Sequence, residues 1–285
     1  MDGAEPGVSA SDSESASVSP RSGRPNSVAA SGWLRPRPAV RNALAALALL
    51  GLGLTWVGVW VGRDLPSIDQ IAFLKAGADA PSHAQSARGV PAGRFLRMSE
   101  ISHWVPRALI AAEDRHFYSH FGVDPRSLVR AFLADLRAGR IVQGGSTITE
   151  QLAKNLLPLP GDRLHQKLQE MVLAIELERR FTKRQILQFY LNRVYFGSGA
   201  YGIDAASQLY FHEPAKDLTL YQSAVLVGLL PAPSRFNPRR NKQLAARRAA
   251  VILNDMVETG ALTEQQAKQA IAAAGAPSVA AGGHR

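Results

Sequence analysis

The sequence predicts a mostly α-helical domain behind a single N-terminal transmembrane helix, and three observations carry that expectation. The run from Ala43 to Gly62 holds no charged residue. At about 1.5 Å rise per residue it spans roughly 30 Å, the thickness of a bilayer's hydrocarbon core. From Phe95 onward, apolar residues recur at helical spacing, and no alternating run of Val, Ile and Thr argues for a strand. Helix-start and helix-stop residues also punctuate that region repeatedly.

The elements follow in order. Residues 1–38 are Ser, Ala, Gly, Pro and charged residues with few bulky apolar side chains. Such a segment cannot bury enough surface to offset its ordering entropy, so a disordered tail is expected. Residues 39–62 form the membrane helix. Arg35, Arg37 and Arg41 lie just before its uncharged run, whereas Arg63 and Asp64 cancel after it, which puts the N-terminus in the cytoplasm and the rest of the chain outside. A cleaved signal peptide has a shorter apolar core than this, and a buried soluble helix is not apolar on every face. Residues 63–93, rich in Ala, Gly, Ser and Pro, read as a linker, 94–275 as the folded domain and 276–285 as a flexible tail.

Within the domain, Pro106 opens a segment with Leu109, Ile110 and Ala112 on an apolar face. Asp124 and Pro125 read as N-cap and first helical residue of a helix that stops at Gly139. Thr147 and Glu150 have the spacing of a capping box, and that helix ends near Pro158. Leu164, Leu168, Met171, Val172 and Ile175 are spaced as one face, read as core. Thr182 caps the next helix, 218–230 and 243–259 form two more, stopped by Pro231 and Gly260, and Thr263 with Gln266 caps a last one.

Composition narrows the chemistry. The 285 residues include no cysteine, which excludes disulfides and thiolate metal sites. A formal charge of +10 and a pI near 10.3 favour an anionic partner: nucleic acid, anionic lipid or a phosphorylated substrate. Export of the domain argues against nucleic acid.

Three clusters hold residues suited to chemistry. In 111–124, Glu113 sits among Ala111, Ala112, Phe117, Tyr118 and Phe121. A carboxyl desolvated by such neighbours acquires a pKa suited to a general base; the plainer reading is a surface acid beside Asp114, Arg115 and His116. His116 and His120 are four apart, as metal ligands on a helix can be, but no third ligand accompanies them and a hydrogen-bonded role suits each better. In 143–155, two glycines permit close backbone approach, Ser146 and Thr147 offer hydroxyls, and a helix start favours an anion; the plainer reading is a turn with a capping box. In 163–185, Glu170 lies beside the apolar stripe with Lys167 three residues earlier, and the basic run Arg179, Arg180, Lys183 and Arg184 reads as a solvated face.

Taken together and in order, these segments resemble the peptidoglycan glycosyltransferases, the family shared by monofunctional transglycosylases and the N-terminal half of class A penicillin-binding proteins. The carrying motifs are EDRHFYSHFG, GGSTITEQLAKN, QKLQE, KRQILQFYLNRVYFGSGAYGI and RRAAVIL, with GLLPAPSRFNP also typical. The match runs from about Phe95 to Gly260. Three positions depart from the family pattern: Glu150 and Gln188 stand where Gln and Glu are usual, and Gln166 where Arg is usual.

The resemblance implies a lysozyme-like helical fold, anchored in the inner membrane with its catalytic domain in the periplasm, that polymerises lipid II. Glu113 and Glu170 are then the catalytic pair. Asp114, Phe117, His120, Gly145, Ser146, Thr147, Thr149, Gln151, Lys154, Asn155 and Lys167 are the substrate-binding set. No cofactor is required, though a magnesium or manganese ion can assist. Partners are lipid II, the growing lipid-linked glycan, the membrane and other cell-wall synthesis proteins. The competing readings are a lytic enzyme on a related fold and an impaired member serving as a lipid II-binding scaffold. No SxxK, SxN and KTG set is present, and few residues follow Gly260, so a glycosyltransferase without a transpeptidase is expected.

Overall fold

The computed structural model describes residues 38–63, 93–139, 144–157, 159 and 161–275. The predicted N-terminal tail, nearly all of the linker and the C-terminal tail lie outside those residues. The chain divides into two compact units, residues 1–53 and 54–285. Helix α1, Pro38–Gly62, carries the apolar run. Its segment Val40–Trp60, with mean hydropathy 1.9, is long and apolar enough to cross a membrane, the one such helix among the described residues.

The domain is helical, as expected. Its elements are α2 (Trp104–Glu113), α3 (Pro125–Ala138), α4 (Ile148–Leu156), α5 (Arg163–Arg180), α6 (Lys183–Arg193), α7 (Gly202–Phe211), α8 (Leu220–Leu229), α9 (Lys242–Glu258) and α10 (Glu264–Ala273). Between α6 and α7 a small antiparallel hairpin pairs β1 (Tyr195–Gly197) with β2 (Ala200–Tyr201), in register Tyr195 to Tyr201. Neither the hairpin nor α7 is foreseen in the sequence reading. α7 starts at Gly202 with no side-chain cap, so it lacks a start signal.

Most helix starts obey their sequence cues. Asp124 accepts the Arg126 N–H with Pro125 first in α3, and Gly139 ends that helix in the left-handed region. Thr182 with Gln185, Thr219 with Gln222, and Thr263 with Gln266 close reciprocal boxes. Two cues need correcting. Pro106 is the third residue of α2, not the first. At α4, Thr147 accepts the Glu150 N–H, but the Glu150 side chain does not return to the cap; it turns to Lys167 instead. The expected capping box is therefore half a box.

Two groups of helices make the core. α2, α8 and α9 pack against one another, and α4 packs against both α5 and α6. α8 is the apolar centre of the first group: every residue from Ser223 to Leu229 is buried, and removing that much apolar surface from water is the main driving force for its placement. α2 presents Val105, Ala108 and Leu109 to this centre, the i, i+3, i+4 spacing of a core face.

α5 departs from the sequence expectation. Its buried residues are His165, Gln169, Glu170, Leu173, Ala174 and Leu177. The stripe read as core contains Leu164 and Val172, which are 64% and 43% exposed. Leu168, Met171 and Ile175 are half-buried, so the stripe lies at the edge of the buried face, which carries Gln169 and Glu170 together with Leu173, Ala174 and Leu177. On α3 only Ala131 is buried, while Val129, Phe132, Leu133 and Leu136 are exposed.

The loop between α2 and α3 lies against α5 through Gly122. Its φ is +80°, and a Cβ there would stand 2.7 Å from Ala174 C and Ile175 N, both backbone. Thr147 Oγ1 also donates to Gly122 O. Gly122→Ala therefore combines a left-handed penalty with a backbone clash, and urea unfolding is expected to show a loss of about 1–3 kcal/mol or more.

Candidate active site

Glu113 ends α2, and the residues around it come from three other helices. Its Oε2 accepts a hydrogen bond from Gln151 Nε2 of α4 at 3.0 Å. Gln151 Oε1 in turn accepts from the Tyr190 hydroxyl of α6 at 2.8 Å. Tyr190 is 1% exposed, so its hydroxyl has a fixed direction and dictates which way the Gln151 amide points. Burial pushes the Glu113 carboxyl above its usual 4.5, opposed by the Gln151 hydrogen bond and by the Arg248 guanidinium of α9, while Asp114 and Asp255 add to the rise. A half-buried carboxylate with one fixed donor and a raised pKa is equipped to take a proton.

Asp114, the next residue, is buried and points the other way. It accepts from the Ile148 backbone N–H at 3.0 Å, at the start of α4, and meets His120 Nε2 at 3.0 Å. It thereby joins the end of α2 to the beginning of α4 and satisfies a helix N-terminus that would otherwise lack an acceptor. Arg115 completes the junction, pairing with Asp255 and Glu258 of α9 at 2.8 and 3.0 Å.

The second cluster surrounds Lys167. Its Nζ contacts Ser146 Oγ at 2.6 Å, Glu170 Oε2 at 3.2 Å and, directly, Glu150 Oε2. Glu150 is fully buried. Burial pushes its carboxyl up, against the hydrogen bond and charge of Lys167. Its Oε1 has no hydrogen-bond partner among the described residues. Ser146 precedes α4, so hydroxyl, ammonium and helix start meet at one place, an arrangement that favours anions.

The predicted site residues thus separate. Glu113 and Gln151 form one group, and Ser146, Lys167 and Glu170 another. Lys154 and Asn155 are exposed and belong to neither. Gly145 approaches α3, where a Cβ would stand 3.2 Å from that of Ala131. Four expectations need correction for this form of the protein. Phe117 is fully buried, under Lys183 at 4.4 Å from the ring centroid, so it supports the loop. Thr149 is fully buried and donates to Glu178 Oε1 at 2.7 Å. Thr147 is a cap, and the His120 side chain is buried on Asp114. All four side chains are buried within the protein.

His116 Nδ1 meets Asp124 Oδ2 at 3.2 Å, so the two histidines each serve a different aspartate and do not converge. Gln166 donates to Leu159 O and Gly161 O, closing the turn before α5. Gln188 is half-buried, and its carbonyl accepts from Asn192 Nδ2. Sequence reasoning missed two participants. Tyr190 lies within the fourth motif and Arg248 within the fifth, but an aromatic and an arginine in helical periods read as core and surface until their partners are known.

A raised carboxyl has a cost that can be measured. Between its unfolded and folded pKa values, Glu113 binds more protons folded than unfolded. Stability therefore falls as pH rises from about 4.5 through the folded value, and the full cost is present at neutral pH. Glu113→Gln keeps an acceptor for Gln151 and removes the charge. Its melting temperature is expected to exceed the wild type's at neutral pH and to converge with it toward pH 4, measured by thermal unfolding across that range.

Residues 69–257 match the model of the transglycosylase family. Penicillin-binding protein 1A of Aquifex aeolicus is 42% identical over 193 residues, covering 68% of this chain and 27% of its own. Penicillin-binding protein 1A of Escherichia coli is 39% identical over 212 residues, covering 72% and 25%. The chain spans about a quarter of the length of these curated relatives. A crystal structure of penicillin-binding protein 1A from Haemophilus influenzae aligns with 67% of the chain and 20% of its own at a TM-score of 0.36 and 19% identity, a likeness too distant to build on.

Proposed function

The chain belongs to the transglycosylase family, and from that premise we propose that it is a membrane-anchored peptidoglycan glycosyltransferase that polymerises lipid II. The observation that carries the reading is Glu113: a desolvated carboxylate at a helix end, held by Gln151 and Tyr190, in the family's first motif.

The chemistry follows from that group. Glu113 takes the proton from the 4-hydroxyl of the acceptor's GlcNAc. The freed oxygen attacks the anomeric carbon of the donor, the lipid-linked glycan, and forms a β-1,4 bond. The bond from that carbon to the diphosphate breaks, with inversion of the α-linkage, and undecaprenyl diphosphate leaves with both electrons. A diphosphate needs no proton to leave, but its growing charge needs cations and donors. Lys167, Ser146 and the start of α4 are suited to supply them. Glu170, 3.2 Å from Lys167 Nζ, orients that ammonium; a divalent ion can add to it.

The membrane enters at two places. α1 meets the length and composition of a span, and the positive-inside bias before it supports a periplasmic domain. In the domain itself, α3 exposes Val129, Phe132, Leu133 and Leu136 beside Arg126, Arg130 and Arg137. An apolar stripe flanked by arginines is the pattern of a helix that rests in a lipid interface. That would bring the cleft to the level at which a polyprenyl-linked substrate presents its sugar.

The testing experiment is glycan synthesis from labelled lipid II, wild type beside Glu113→Gln. The variant is expected to lose at least about 10²-fold in turnover while remaining folded; wild-type-like polymer from it rules out Glu113 as the base. The acid limb of kcat/KM should lie above 4.5, because burial raises the carboxyl that must be ionised.

The lipid contact makes a separate prediction. Phe132→Glu with Leu136→Glu is expected to cut turnover on lipid II embedded in liposomes by roughly tenfold or more, through charge placed in a lipid interface. Turnover on a short-chain analogue in solution should be little changed. Equal losses on both substrates would remove α3 from the membrane surface.

A further inference from the structure

We propose that Glu150 is a proton-coupled gate on the donor's diphosphate: in the free site its carboxylate holds Lys167, and the diphosphate gains Lys167 only as Glu150 takes up a proton. The inference rests on the donor-site reading above and concerns the one departure from the family pattern that falls inside that site.

The geometry requires a compensating event. Glu150 is fully buried, and its Oε2 is in direct contact with Lys167 Nζ. Glu170 Oε2 engages the same ammonium at 3.2 Å. Two carboxylates therefore share one cation at the place where a diphosphate has to sit. Bringing an anion there adds negative charge to a cluster that already carries an excess of it. If Lys167 swings to the diphosphate, Glu150 is left as a buried carboxylate with neither oxygen partnered, because its Oε1 already has no partner among the described residues. An ionised carboxyl stranded in that way is costly, and neutralising it is the cheapest remedy.

Among the described residues, the other carboxylates on the elements around Glu150 are already engaged. Glu150 is packed by α5 and α6 and by the loop before α4. On α5, Lys167 and Glu170 are its own partners, and Glu178 is engaged by Thr149 and by Lys183 of α6. At the start of α4, Asp114 is engaged by His120 and Ile148. Glu113 is engaged by Gln151. The proton therefore comes from solvent, converts the carboxylate to a carboxylic acid on binding, and returns to water when the diphosphate leaves. Burial already biases Glu150 toward the protonated state. Glu150 acts through Lys167 and is a positioning residue. The half-formed capping box is the structural trace of this role, since the side chain leaves the cap in order to reach the lysine.

The test is titration calorimetry of geranyl diphosphate into the full chain in detergent, with a chelator present, in buffers of unlike ionisation enthalpy and at several pH values. Wild type is compared with Glu150→Gln, so that the ligand's own titration cancels in the difference. Wild type is expected to take up about one proton more per diphosphate than the variant. The variant should bind more tightly, and its advantage should grow by about tenfold per pH unit over the range in which Glu150 is ionised free and protonated bound. Equal proton uptake in both proteins, or equal pH dependence of affinity, overturns the gate and leaves the donor site intact. Failure of both folded proteins to bind the diphosphate removes the donor site itself, and the gate with it. Should Glu150→Gln not fold, the wild type decides alone: uptake beyond the ligand's own titration supports the gate, and none overturns it.

Discussion

The active-site arrangement depends on one buried carboxylate, Asp114. It terminates α2, accepts the first N–H of α4 and receives His120, and so it sets the distance between two helices that belong to different packing groups. Glu113 precedes it in the chain. Once Asp114 is fixed, the side chain of Glu113 has to emerge on the opposite side, where Gln151 meets it one turn into α4. The neighbouring capping contacts of Thr147, to Gly122 and to Glu150, depend on the same junction. A hydrogen bond to a charged acceptor in a dry setting has few substitutes. Removing the carboxylate would leave a helix start and a histidine unsatisfied together.

Much of the local structure was legible because it rests on local chemistry. Asp124-Pro125 and the Thr-x-x-Gln starts act within four residues, so the chain alone suffices to read them. The hairpin at Gly197, Ser198 and Gly199 and the uncapped α7 were not legible: a run of glycines looks like a loop whether or not two short strands and a helix grow out of it. α5 was misread for a different reason. Periodicity reports that apolar residues share a face, but it carries no information on which side the protein's interior lies. In a helix that buries both apolar and polar residues, that information is decisive.

The groupings of the candidate residues were not legible. Nothing in the spacing of Glu113, Gln151, Ser146, Lys167 and Glu170 separates the pair Glu113 and Gln151 from the lysine cluster. Phe117 and Thr149 were carried along by motif position. Their burial shows that residues within one motif can divide between the polar clusters and the packing beneath them. Tyr190 belongs to the second class and matters to the first, because a tyrosine hydroxyl with a single direction removes a rotational choice from Gln151.

The outward stripe of α5 has a consequence for how this chain reaches its folded state. Leu164 and Val172 face out while Gln169 and Glu170 share the inward side with Leu173, Ala174 and Leu177. In water this segment is frustrated: hydrophobic collapse pulls it one way, and the polar cleft needs it turned the other. The orientation of α5 is then settled by its polar contacts, Lys167 to Ser146 and to Glu150, and not by apolar burial alone.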